Sequence, residues 1–186
     1  MGRSSKQQAA ENRNLIVEKT SELFKARQIA DVSIPDIMKA AGMTAGGFYK
    51  HFESKEALVL EAAELAFIKA RERWDSIDEN DKGSVQHNIA DYYFSPKPAQ
   101  KRCPMLAFGG DVMKSNASEQ LAKDCTDGIK SLMECFIGHP HDEQGADDEK
   151  NLVLFAAMVG ANYLGEISSD PAFAERLKKA VLAAIK

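Results

Sequence analysis

Ser33-Ile34-Pro35-Asp36-Ile37-Met38-Lys39-Ala40-Ala41-Gly42-Met43-Thr44-Ala45-Gly46-Gly47-Phe48-Tyr49-Lys50-His51-Phe52 is the stretch whose pattern decides the fold. Ser33 stands at an N-cap position, Pro35 falls in the first turn, and Asp36 follows three residues after the cap. That is the spacing of a capping box with Asp in place of Glu. Ile34, Ile37, Met38 and Ala41 then fall on one buried face, and Gly42 stops the helix at an expected left-handed position. Thr44 is expected to cap a second short helix running through Phe52. Phe48 and Phe52, four apart, anchor one side of it, so Tyr49 and Lys50 must point elsewhere. Two short helices joined by a Gly42-Met43 turn fit a helix-turn-helix, whose second helix can lie in a DNA major groove. On spacing alone, the same pattern equally suits a helical hairpin in any all-α protein.

Outward from this stretch the pattern stays helical, with no convincing period-two strand. A first amphipathic helix is expected over residues 8–26, with Ile16, Thr20, Leu23, Phe24 and the stem of Arg27 along its inner stripe. Ser54 caps a long fourth helix, residues 55–77, with Leu58, Ala62, Leu65 and Ala66 or Lys69 on its inner rows. Residues 78–83 read as a loop, and further helices are expected over 84–94, 104–114, 118–137 and 147–167. Asp170-Pro171 gives an N-cap and a first-turn proline for a last helix ending at Lys186. The fold class is therefore all-α, with about nine helices.

Composition excludes several classes. The chain has 186 residues, 44% hydrophobic and 28% charged, which is ordinary for a globular protein. Its three cysteines, Cys103, Cys125 and Cys135, form no paired framework, so a reducing cytoplasm is the expected compartment. The longest apolar run, residues 152–164, is broken by Gly160 and Asn162 and falls short of the roughly 18 residues needed to span a bilayer. No membrane partner is expected. Net charge is −4 overall. Residues 1–60 carry nine Lys/Arg against seven Asp/Glu, and the remainder fifteen against twenty-one. A mildly basic head on an acidic body can direct one face at phosphates.

The residues also carry a resemblance. Residues 34–44, followed by Gly47-Phe48-Tyr49-Lys50-His51-Phe52-Glu53-Ser54-Lys55-Glu56-Ala57-Leu58, resemble the N-terminal signature of the TetR/AcrR family of transcriptional regulators. The match covers roughly residues 13–60. Cys103-Pro104 opening a helix, and the final long helix pair, resemble one branch of the same family. The resemblance implies a helix-turn-helix DNA-binding domain over residues 9–69, its fourth helix shared with the body, and a ligand-binding and dimerisation domain over 70–186. It implies that Thr44, Tyr49, His51 and Lys55 contact phosphates, with the helix-terminal amides at Ser33 and Lys55 suiting phosphate oxygens. Ala45, Gly46 and Lys50 would face base edges, Lys50 donating to guanine and the Ala45 methyl meeting a thymine methyl.

Two positions depart from the family pattern. Gly46-Gly47 removes side chains from the reading face, so DNA contact is expected to be needed to order that helix fully. Gln28-Ile29 replaces the usual glycine and aromatic after the first helix.

The resemblance further implies a homodimer paired through the last two helices, on a palindromic double-stranded operator. Ala156, Ala157, Gly160 and Ala161 allow close helix approach there, and Phe173, Leu177, Ala180, Val181 and Ala184 form a stripe. The expected activity is a repressor released by a small apolar or aromatic effector. Phe67, Trp74, Tyr92, Met105, Phe108, Met133, Phe136, Phe155 and Met158 are candidates to line its site; each singly also suits ordinary core. Cys135 with His139, His141 and Cys125 leaves open a metal- or redox-responsive regulator of the same fold. A helical protein-interaction adaptor is the alternative from another class. No catalytic residue, resident metal or cofactor is expected, because neither a Cys–His nucleophile nor a glycine-rich phosphate loop is present.

Overall fold

The computed structural model describes residues 2–77, 84–114, 118–138 and 145–185. The described residues are helical throughout and contain no strand. In chain order the α-helices are α1 (Gly2–Ala26), α2 (Ile34–Ala40), α3 (Lys55–Asp75), α4 (Val85–Phe94), α5 (Pro104–Val112), α6 (Glu119–Ile137), α7 (Gly145–Ile167) and α8 (Pro171–Ala184). Short 3-10 turns occupy Ile29–Asp31, Ala45–Lys50 and Ala99–Lys101. The expected loop over 78–83 lies outside the described residues, as do His139 and His141 of the candidate metal group.

Local chemistry sets most helix starts. Ser33 and Asp36 form the expected reciprocal capping box: the Asp36 N–H donates to Ser33 Oγ, and the Ser33 N–H donates to Asp36 Oδ2. Ser54 Oγ accepts from the Ala57 N–H at 3.1 Å at the head of α3. Asp170 accepts from Ala172 and Phe173 ahead of Pro171. Each cap satisfies amides that a helix start otherwise leaves orphaned. Thr44 departs from expectation. It sits at the N-cap of Ala45–Lys50, yet its side chain makes no cap bond, and the segment it opens is a 3-10 turn rather than an α-helix.

Two compact units result, Met1–Lys69 with Lys97–Gly128, and Ala70–Pro96 with Ile129–Lys186. In the first unit, Ile16, Thr20 and Phe24 of α1 are fully or almost fully buried, as are Ile37, Met38, Phe48, Leu58 and Ala62. Arg27, expected to lay its stem on the α1 stripe, is instead exposed and donates to the Asp31 carbonyl. Arg13 ties α1 to α3 through a two-pronged ion pair with Glu61, at 2.7 and 2.6 Å. Its guanidinium also lies 4.6 Å from the Phe52 ring centroid. Gly128 of α6 admits the Phe67 ring so closely that a Cβ there would stand 2.3 Å from a ring carbon.

The second unit is aromatic at its centre. Trp74 meets Tyr93 and Phe155 edge-on at centroid distances of 5.9 and 6.4 Å, and Phe136 lies 5.8 Å from Phe155. Edge-on pairs add some 0.5–1.5 kcal/mol beyond the area they bury. α7 packs along α8, and a Cβ at Gly165 would stand 3.3 Å from that of Ala174.

Candidate nucleic-acid interface

α2 ends in a Schellman motif, which fixes the angle at which the chain enters the next segment. Gly42 takes φ +71°, its N–H donates to the Lys39 carbonyl at 3.0 Å, and the Met43 N–H reaches back to the Met38 carbonyl at 2.7 Å. Residues with a side chain at Cβ rarely hold that φ, so the turn depends on glycine here. Two carbonyls at the end of α2 are thereby satisfied.

Beyond the turn, Ala45–Lys50 shows two faces. Phe48 is fully buried and Phe52 almost so, their rings 5.7 Å apart, and Met43 is half-buried behind them. Thr44, Ala45, Gly46, Tyr49 and Lys50 are exposed, Tyr49 at 71% of its surface, while Gly47 and His51 are half-buried. Tyr49 stands edge-on to Phe48 at 5.1 Å, so the buried ring holds the exposed one in place. The expected outward set is thus exposed along this one short segment. It joins two hydroxyls, a cation and a stretch nearly without side chains over an apolar back. Ser33, at the start of α2, is exposed with its hydroxyl committed to Asp36.

Lys55 is placed differently from a side chain reaching into solvent. Its ammonium donates to the Ile29 carbonyl at 2.6 Å. Burial pushes its pKa below the usual lysine range, against the pull of Asp111 and Asp31. On the other side of the same peptide turn, the Ile29 N–H donates to Asp111 Oδ2 at 3.2 Å. Lys114 bridges Asp111 and the Gln28 side chain, 2.8 Å from each. The Gln28-Ile29 departure therefore has a structural counterpart: the turn after α1 is held by Lys55 and by two residues around the end of α5. Sequence patterns missed Asp111, a buried acid. Its one signal is an aspartate inside an otherwise apolar helix (Pro104-Met105-Leu106-Ala107-Phe108).

The remaining candidates divide between the units. Trp74, Phe136 and Phe155 meet in the aromatic centre of the second unit, where Met158 is also buried. Tyr92 instead lies under the Arg73 guanidinium, 4.9 Å from centroid to carbon, and its neighbour Tyr93 takes the place beside Trp74. Met133 is half-buried in that unit. Phe67, Met105 and Phe108 belong to the first unit, Phe108 fully buried. Burial pushes the Cys125 thiol up to about 11. Burial, with a hydrogen bond to Asp75 and its charge, pushes Cys135 up to about 12. Cys103 is half-buried ahead of Pro104. Among the described residues no three His, Cys, Asp or Glu side chains group as metal ligands, and no helix is long and apolar enough to cross a membrane.

A capped helix, a glycine turn and a second segment with an apolar back and a small, polar front define a helix-turn-helix protein. Comparison with known proteins specifies the kind. Residues 16–62 match the family model described as "Bacterial regulatory proteins, tetR family". The chain is 39% identical over 66 residues to the HTH-type transcriptional regulator AcrR of Shigella flexneri, covering 36% of this chain and 31% of that one. It is 30% identical over 89 residues to EthR of Mycobacterium tuberculosis, covering 47% and 41% respectively. The match thus spans less than half the length of these relatives. In fold the likeness extends further: a TetR transcriptional regulator from Chloroflexus aurantiacus superposes with a TM-score of 0.76 at 26% identity, covering 96% of both chains. The resemblance seen in residues 34–58 is borne out by the family model over residues 16–62, and the chain is similar in fold to a TetR regulator over nearly its whole length.

Proposed function

We propose that the chain is a DNA-binding transcriptional regulator, acting as a homodimer on a palindromic operator and released from it by a small apolar or aromatic effector. The observation that carries this reading is the two-faced segment Ala45–Lys50, seated on buried Phe48 and Phe52 beyond a Schellman turn. In this reading Thr44, Tyr49 and His51 contact phosphates, and Ala45, Gly46 and Lys50 lie against base edges. At the exposed start of α2, where the Ser33 and Asp36 amides are engaged in the capping box and Pro35 has none, the Ile34 N–H is the amide left to meet a phosphate. Lys55 serves the same backbone with its helix-terminal amide, and its side chain holds the Ile29 turn.

Functionally, residues 9–69 read DNA and residues 70–186 dimerise and bind the effector, although 97–128 pack within the first unit. Dimerisation is supported by an apolar face on α7: Val153, Ala156, Ala157, Leu164 and Ile167 are exposed, Val153 and Ile167 at 66% and 63%. A Cβ at Gly160, on the same face, would meet nothing within 4 Å. On α8 the stripe splits, with Val181 buried and Phe173, Ala180 and Ala184 exposed. A second copy of this face is self-complementary and covers it, as a two-fold interface requires. The effector would enter the aromatic cluster of the second unit. α3 runs unbroken from Lys55 to Asp75, so its far end can transmit a tilt to its DNA-facing end.

Cys125 and Cys135 are both held far from the thiolate form, which weighs against a thiol-redox trigger at either. A gel shift with the duplex upstream of the chain's own gene tests DNA binding, and light scattering tests the dimer, expected at about twice 20.4 kDa. Retention of no duplex at any salt concentration would leave the helical adaptor as the better reading.

A further inference from the structure

The segment proposed to face DNA is held less firmly than the helix before it. Three-residue hydrogen bonds join the Gly47 N–H to the Thr44 carbonyl at 3.0 Å and the His51 N–H to the Phe48 carbonyl at 2.9 Å, and that last carbonyl also takes the Phe52 N–H at 3.1 Å as the segment ends. Six residues, Ala45–Lys50, is long for such a turn, whose bond geometry is poorer than that of an α-helix. Its N-cap makes no side-chain bond, whereas Ser33 closes a full capping box on α2. Two adjacent glycines lie inside it.

Neither glycine is demanded by the fold of the isolated chain. The positive-φ glycines among the described residues are Gly42 and Gly138, so Gly46 and Gly47 adopt backbone angles open to alanine. A Cβ at Gly46 would meet nothing within 4 Å, and one at Gly47 would lie 3.6 Å from Met38 Cε, an ordinary contact. Each glycine nonetheless weakens an α-helix about four- to fivefold relative to alanine.

We propose that Ala45–Lys50 passes from a 3-10 turn to an α-helix when it meets DNA, and that Gly47 sets how much affinity that ordering consumes. The inference rests on the DNA-binding reading above. The two glycines are separable by their surroundings. A Cβ at Gly47 would lie 3.6 Å from Met38 Cε of α2, so a methyl there sits against the protein while it restricts the segment's conformational freedom. At Gly46 a methyl would stand in open space on the exposed side, where it also probes close approach. Gly47 is therefore a positioning residue.

The test uses a duplex selected from a random-sequence pool by the full-length wild-type protein. Gly47→Ala is expected to bind that duplex up to about fivefold tighter, with an unchanged slope against salt because no phosphate contact is added. Amides 46–51 of the wild type are expected to exchange faster than those of residues 37–41 in the DNA-free protein, and to gain protection on the duplex. Equal or weaker affinity in a Gly47→Ala protein of unaltered melting temperature overturns the inference, since a segment already formed gains nothing from alanine. So does protection of amides 46–51 that is the same with and without DNA; this arm needs no substitution and decides alone if Gly47→Ala does not fold. A wild type that selects no duplex removes the DNA-binding reading and this inference together, an outcome distinct from selection followed by no gain.

Discussion

The two halves of the helix-turn-helix, α2 and the segment Ala45–Lys50, are stabilised by different means. α2 has only seven residues, yet its first amides are met by Ser33 and its last carbonyls by the Schellman turn. Both its ends are satisfied locally, and buried Ile37 and Met38 seat it in the core. Ala45–Lys50 has no side-chain cap and is seated chiefly by Phe48 and Phe52 against the rest of the unit. Isolated helices of such length are marginal, so packing holds both halves, and the second does without the side-chain cap that the first adds. A surface that reads another molecule has to leave its outward side chains unengaged, and this is where local satisfaction is given up.

That contrast predicts a ladder of effects. Phe48→Ala should be the most damaging, at about 3–5 kcal/mol by denaturant titration, because a fully buried ring leaves a cavity under the reading segment. A loss below about 1 kcal/mol would mean the segment is held locally after all. Gly128→Ala should cost about 1–3 kcal/mol by overpacking against the Phe67 ring, measured as a lower melting temperature. Both act through tertiary fit, with no local bond lost.

Ser33→Ala should cost less, about 0.5–2 kcal/mol, by removing the cap from α2. The same box carries a pH signature. Hydrogen bonds from the Ser33 hydroxyl and then its N–H hold the Asp36 carboxyl below its ordinary value. A depressed folded-state pKa means that this stabilisation is complete above the unfolded pKa near 3.9 and is lost as pH falls through the folded one. Asp36→Asn should therefore flatten the acid limb of a stability–pH curve and leave its neutral-to-alkaline side unchanged in shape. An acid limb identical to the wild type's would show that the box is not formed in solution.

Tyr49→Phe should have the smallest effect on folding, within about 0.5 kcal/mol, since the ring and its edge-on contact with Phe48 survive. Its effect should appear in DNA binding instead, as weaker affinity for all sequences with the phenolic phosphate bond lost. A change of base preference at one operator position, with general affinity intact, would move Tyr49 from the phosphates to the bases.

At the aromatic centre of the second unit the balance shifts to packing. Trp74, Tyr93, Phe136 and Phe155 meet there through contacts between residues far apart in the chain. No local rule distinguishes Tyr92 from Tyr93 as the neighbour of Trp74. Adjacent residues on a helix point about 100° apart, so sequence gives a face only once a partner is known. The α8 stripe shows the same limit: one row of apolar residues contains both a core position, Val181, and exposed positions, Phe173 and Ala184.

The sequence by itself determined what is short-range: the capping box at Ser33 and Asp36, the left-handed Gly42, the caps at Ser54 and Asp170, and the four-residue spacing of Phe48 and Phe52. These depend on bonds spanning a few residues, and residue type alone suffices to specify them. Only the tertiary structure decided that Thr44 leaves its cap unmade and that Ala45–Lys50 stays a 3-10 turn. It also decided that Lys55 turns inward to the Ile29 carbonyl while Asp111 accepts from the N–H of the same residue. Those outcomes depend on groups 26 and 82 residues apart meeting around one turn, and that proximity exists only once the helices have packed.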